Sequence, residues 1–442
     1  MRDAKIGTGL VTEWRWLVLA SIGVSYLLVF TQRTGPGVIS DQLQAEFHVS
    51  AAMLGTITSI QYLLYMLIQI PVGLYGDKSG PERLLVIGVL CDGVGTLVFT
   101  SAHSFGWLLV GRAIVGLGDS LIWVNIVLIL AKWFAKGRFA VVLAMVNTAG
   151  NLGALVTSIP LAAWIAVAGW HIPFMVIGIL LVAAGVVDFI VLIGARPARA
   201  AAVAQAGSVR VERVPIGQML ADVVRSRLAW TTFCCHFGAM GTYLSMVSLW
   251  VVPYFMDVYR LPRAEAAWFT LTSFIGALVA SPLMGWLSER IHDRRRPYIV
   301  TQTLSTIAWL AIVLWRGEPP LFVAGLIMFI VGFGCGSTLL TFAVIRDQVP
   351  AERSGVASGF ANTGGFLSAV LLPVLFGAII DAAGGATGAN FAAARHAYTI
   401  AFVLPAGFSI VGVVGSLLLP QGLRERNGDV EKMDGMAPQT SS

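Results

Sequence analysis

The chain has 442 residues, 57% hydrophobic and only 12% charged, with a mean hydropathy of +0.81. A soluble domain averages about 25% charged residues, so the polar coat that water demands is missing, and disorder is excluded on the same ground. What remains is a polytopic helical membrane protein, and the formal net charge of +6 must be explained by where the bases lie rather than by a nucleic acid.

Apolar segments long enough to cross a ~30 Å hydrocarbon layer as helices fall at 14–37, 51–76, 82–102, 105–131, 138–165, 170–194, 228–256, 265–288, 297–315, 320–344, 355–381 and 396–419. Continuous apolar runs exclude a membrane barrel, whose strands would alternate. The first run, from Trp14, is too long for a cleavable leader and is expected to stay as an anchor. Cys91, Cys234, Cys235 and Cys335 each sit inside an apolar run without metal-ligand spacing and read as small buried hydrophobes.

With both termini on the cytoplasmic face, only Arg260, Arg263, Arg316 and Arg395 of the 29 basic residues fall on the opposite side, and Arg33 and Arg112 lie within spans. That bias fixes the expected orientation and accounts for the basic balance. The predicted organisation is an N-terminal six-helix bundle at 1–195, a cytoplasmic linker at 196–227, partly helical around 215–227, a C-terminal bundle at 228–420, and a disordered cytoplasmic tail at 421–442.

The halves repeat. Gly73-Leu74-Tyr75-Gly76-Asp77-Lys78-Ser79-Gly80 after span two matches Gly285-Trp286-Leu287-Ser288-Glu289-Arg290 after span eight. Ile114-Val115-Gly116-Leu117-Gly118 matches Ile330-Val331-Gly332-Phe333-Gly334, and Asn147-Thr148-Ala149-Gly150 matches Asn362-Thr363-Gly364-Gly365, all at nearly equal offsets. Such a duplication places a cavity between two halves that can rock. The stretch Gly73, Asp77, Lys78, Gly80 and Arg83, with its second copy at Gly285, Glu289, Arg290 and Arg294–Arg296, resembles the cytoplasmic loop motif of the major facilitator superfamily. That resemblance covers about 14 to 420 and implies an all-α fold of twelve transmembrane helices in two pseudo-symmetric six-helix bundles. It also implies a conformational latch at Gly73, Asp77, Lys78, Gly80, Arg83, Glu289 and Arg290.

Charges inside spans are costly and therefore informative. In span four, Arg112, Gly116, Asp119 and Trp123 share one helical face. Arg112 to Asp119, with Trp133-Phe134 and Arg138 further on, is similar to the anion:cation symporter branch, although Asp stands where Glu is usual. Arg33, at its depth in span one, resembles that branch's clamp for a substrate carboxylate. A guanidinium is a fixed fork of donors that suits a carboxylate. The expectation is an unpaired Arg33 awaiting an anion, with Asp119, Arg112 and His236 as groups for proton coupling. Other readings stay open: Arg33 snorkelling to the outer interface, or Arg112 and Asp119 paired as structural glue. Favouring function, the second half repeats neither charge, with Met328 and Cys335 at the matching positions. Asp92 and Asp188, on spans that are peripheral in the superfamily, read as structural.

Further substrate-binding candidates come from helical stripes: Gln61 and Tyr65 on span two, Trp123 on span four, Asn147 and Asn151 on span five, Tyr243 and Trp250 on span seven, and Asn362 on span eleven. No phosphate-cradling loop, metalloprotease motif or metal cluster is present, so no cofactor, metal or enzymatic activity is expected. The sequence thus points to a monomeric multi-pass carrier of the inner (cytoplasmic) membrane that couples uptake of a small organic anion, a carboxylate, to protons. The competing expectation is a proton-driven antiporter exporting hydrophobic or cationic compounds.

Overall fold

The computed structural model describes residues 2–134, 136–194, 216–385 and 391–420. In lipid every backbone N–H and C=O must be satisfied within the chain, and the apolar runs accordingly form helices. They are α1 (Arg2–Arg33), α2 (Ala51–Ser79), α3 (Pro81–Thr100), α4 (Phe105–Trp133), α5 (Lys136–Val156, continued by Thr157–Leu161 and Ala162–Ala168) and α6 (His171–Gly194). The second half has α7 (Arg227–Tyr259), α8 (Arg263–Arg290), α9 (Arg295–Leu314), α10 (Leu321–Gln348), α11 (Ala351–Ala382) and α12 (Phe391–Leu418). Among the described residues, eleven helices are long and apolar enough to cross a membrane, and the shorter apolar run Val141–Val156 in α5 makes the twelfth. α5 is lengthened by a π-helical turn at Thr157–Leu161 that accommodates Pro160.

The protein is an integral membrane protein of two six-helix bundles. Val167, Leu314 and Phe322 stand exposed on its outer faces, as lipid-facing side chains must. Helix starts follow local chemistry: the Ser50 hydroxyl caps α2 by accepting from the Met53 N–H, and Pro81 opens α3 after Gly80, whose φ of 82° turns the chain.

Two details depart from expectation, and the linker is described only in part. Span one does not run to residue 37; α1 ends at Arg33, and Gly35 and Pro36 open a short helix, Gly35–Val38, followed by Ser40–Phe47. α7 is not one regular helix, because π-helical turns at Phe237–Gly241 and Met246–Trp250 interrupt the stripe drawn along it. Of the linker expected at 196–227, residues 196–215 lie outside the described residues, as does the tail at 421–442; Ile216–Arg225 is helical, with Val223 buried near Ile345 and Ala357.

The two bundles close on each other at the end remote from the chain termini. Asp381 at the end of α11 accepts from the Ala51 and Ala52 amides at the start of α2, both at 2.9 Å. Arg263 at the start of α8 pairs with Asp41 at 2.6 Å and also donates to the Val38 carbonyl. Deeper, Ser59 donates to the Val370 carbonyl at 2.6 Å and Tyr62 bonds Ser248 at 2.7 Å. The Tyr65 ring stacks on Phe366 at 4.2 Å. Close backbone approach permits this: a Cβ on Gly55 would press into the Pro373 carbonyl, and one on Gly377 into that of Ala51.

Candidate substrate and proton site

Asp119 is the central residue of α4 and is wholly buried. Its carboxylate takes a two-pronged clasp from Arg33 at the end of α1, with Nη2 at 2.6 Å from Oδ1 and Nε at 3.2 Å from Oδ2. Gln61 of α2 donates its Nε2 to Oδ2 at 2.6 Å. A Cβ at Gly116 would run into the Gln61 backbone, so the glycine one turn before Asp119 is what lets α2 come close enough. Arg33 is therefore not unpaired, contrary to the sequence expectation; nor does it snorkel. Its guanidinium lies 4.5 Å from the Phe30 ring and 5.8 Å from the Tyr65 ring. The side chain keeps 13% exposure while that of Asp119 has none, so the arginine is the reachable member of the pair.

The shared face of α4 is directed at α1 and α2. Arg112, equally buried, does not pair with Asp119: it donates to Gln32 Oε1 at 2.9 Å and reaches toward the Arg33 carbonyl at 3.5 Å. It thus fixes the backbone that carries Arg33. One turn beyond Asp119, Trp123 stacks on Tyr26 at 5.5 Å. Breaking a buried ion pair by removing one member costs about 3–5 kcal/mol, so either half of the Arg33–Asp119 clasp can be released only if something replaces it.

The comparisons with known proteins agree with this architecture. The sequence matches the family model of the Major Facilitator Superfamily over residues 22–262 and 244–438. The chain belongs to that superfamily. It is a membrane transporter, not an enzyme. It is 22% identical to a probable sulfoacetate transporter of Cupriavidus necator, covering 92% of this chain and 94% of that protein, and 23% identical to a D-galactonate transporter of Escherichia coli, covering 91% and 96%. A bacterial homologue of the human lysosomal transporter Spinster, solved inward-facing and unoccupied, shares the fold with a TM-score of 0.73 at 16% identity, covering 92% of this chain and 98% of that one.

In this superfamily member the remaining candidates are scattered. Tyr65 lines the Arg33 site from α2. Asn147 is exposed on α5, while Asn151 and Asn362 are half-buried. Three α7 residues are taken up in the C-terminal bundle. His236 is buried with its Nε2 at 2.5 Å from Thr341 Oγ1 and its ring against Phe342, Tyr243 packs edge-on against Phe274, and Trp250 donates to the Pro373 carbonyl at 3.3 Å. None of these three belongs to the Arg33–Asp119 group. Of the latch candidates, the side chains of Gly73, Asp77 and Lys78 lie outside the described residues. Gly80 makes the turn into α3; Arg83, Glu289 and Arg290 are exposed, Arg290 lying over the Trp286 ring at 5.3 Å. Near the second copy, Arg294 pairs with Asp347 at 2.6 Å and Arg296 with Asp293 at 3.2 Å. Residues that sequence reasoning passed over are Gln32, which receives Arg112, and Asp381 and Asp41 at the closed end; each is polar at a helix end or beside a stronger signal, and no periodicity marks it.

Proposed function

We propose that this transporter imports a small organic anion, a carboxylate, together with a proton, by alternating access. The observation that carries the reading is the Arg33–Asp119 clasp. A carboxylate substrate offers Arg33 the same two oxygens that Asp119 now supplies. Substrate and Asp119 therefore compete for one guanidinium, and a released Asp119 is tolerable in its dry pocket only when protonated. Anion and proton must then arrive together, which is coupling by mutual requirement. The names of the two relatives, for sulfoacetate and D-galactonate, fit a carboxylate-bearing solute.

The positive-inside bias orients both termini to the cytoplasm, which makes the closed end the outer one. The halves, 1–195 and 228–420, rock about the buried site, and the latch around Asp77, at the end of α2, forms or breaks on the cytoplasmic side. Cationic solutes are disfavoured by a reachable guanidinium.

The test is uptake in liposomes with an alkaline interior, screening labelled carboxylates that include sulfoacetate and D-galactonate. Arg33→Ala is expected to abolish accumulation; Asp119→Asn loses gradient-driven accumulation but retains exchange. Wild-type accumulation by Asp119→Asn would refute the proton role. Efflux of a cationic dye that survives Arg33→Ala would replace the importer with an exporter.

A further inference from the structure

Asp92 lies near the middle of α3 and is fully buried, yet neither of its carboxyl oxygens receives a hydrogen bond from any N–H or O–H among the described residues. A carboxylate serving as structural glue is held by donors. Asp188 on α6 is one such, accepting from the Ser25 hydroxyl at 2.6 Å. Asp92 instead sits beside the residue that precedes another acid: its Oδ1 fills the space next to Gly118, the neighbour of Asp119 in the chain. A buried carboxyl without donors avoids the cost of its charge by holding a proton.

The backbone is built to bring them together. Gly88 of α3 rests against the Gly118 carbonyl of α4, and Gly95 against that of Gly111. A Cβ at Gly118 would collide with Asp92 Oδ1 and lie 2.9 Å from the Asp92 amide, so only glycine beside Asp119 leaves room for the second acid. The internal repeat gives an independent control. In the C-terminal half Gly334 stands where Gly118 does and meets Ser305 of α9, while Cys335 replaces Asp119. The same helix crossing is thus made with a serine that donates to the Ile330 carbonyl at 3.4 Å and no acid at all. Packing this corner of a six-helix bundle does not require carboxyls; only the half with Arg33 has them, and it has both.

We propose that Asp92 is a second proton-binding group, forming with Asp119 one two-carboxyl site that takes up protons and passes them between its members during transport. This rests on the proton-coupled reading above. While Arg33 clasps Asp119, the proton resides on Asp92, neutralising a carboxyl that has no donor of its own. When the anion takes Arg33, the freed Asp119 carboxylate accepts the proton from its neighbour, and Asp92 is reloaded by a second proton as the anion is enclosed. The charged and titratable groups whose fields reach Asp92 are those of Asp119 and Arg112 from α4, Arg33 from α1, Tyr65 from α2 and the adjacent Cys91. From α6, the backbone of Gly178 and Val182 packs against α3.

Infrared difference spectra of the purified protein in lipid nanodiscs, taken across a pH series without any substrate, read protonated carboxyl groups directly. The expected wild-type signal contains two coupled steps. Asp92→Asn removes one and moves the midpoint of the other by about one pH unit or more, and Asp119→Asn does the converse. Asp92→Ser, carrying the residue of the C-terminal half, gives the same result and serves where the asparagine variant fails to fold. A titration unchanged by substitution at 92 in folded protein would overturn the proposal. Transport indifferent to a pH gradient would sink proton coupling while leaving this spectrum as it is, so the two failures are told apart.

Discussion

At the scale of single residues, the informative feature is that two charges 86 positions apart satisfy each other. Arg33→Lys keeps the charge but loses the second prong, and is expected to weaken substrate binding about tenfold in equilibrium binding measurements. Gln61→Leu removes one donor from Asp119 Oδ2; since a hydrogen bond to a charged group is worth about 1.5–3 kcal/mol, the pH profile of uptake should move by roughly one pH unit or more. An unchanged profile would show that Gln61 has no part in holding the charged state. Arg33, Asp119 and Arg112 could be picked out in the sequence because a charge in an apolar run has no bland explanation. Their pairing could not. Spacing along a helix fixes a face, but which partner that face meets depends on glycine-sized gaps in another helix.

At the scale of helices, span number and approximate limits were legible because lipid permits little besides helix at these lengths. The break at Thr34-Gly35-Pro36 and the π-helical turns of α7 were not, since they answer to neighbours rather than to hydropathy. The α3–α4 crossing shows how much a single missing side chain determines. Gly118→Ala must push α3 outward or displace the Asp92 carboxyl, and overpacking of that kind typically costs about 1–3 kcal/mol. A lowered midpoint of thermal unfolding in detergent, together with loss of uptake, is the expected pair of outcomes. The internal repeat of Gly116 and Gly118 as Gly332 and Gly334 was visible in the sequence, and its structural meaning is now specific: each glycine seats the backbone or side chain of a neighbouring helix, Gln61 and Asp92 in one half, Ser273 and Ser305 in the other.

At the scale of the whole molecule, the two halves meet where α2 and α11 run backbone to backbone. Gly55→Val places a wedge against the Pro373 carbonyl and is expected to favour the state open at that end. A spin-label pair spanning 52 and 381 should show the longer distance gaining population, and accumulation in liposomes should fall. A distance distribution matching wild type would mean that this seam tolerates the extra bulk and does not govern closure.

That seam is fastened largely by groups that water can serve equally well. On opening, the amides of Ala51 and Ala52 would exchange the Asp381 carboxylate for solvent, Ser59 would give up the Val370 carbonyl, and Tyr62 and Ser248 would give up each other. The neutral swaps are worth about 0.5–1.5 kcal/mol net each, and those at the Asp381 carboxylate about 1.5–3. Under the proposed cycle, modest energies open such a gate, with the Arg263–Asp41 pair the one charged clasp on it among the bonds named here. The direction of traffic in that cycle is then left to the concentrations of solute and ion on the two sides of the bilayer.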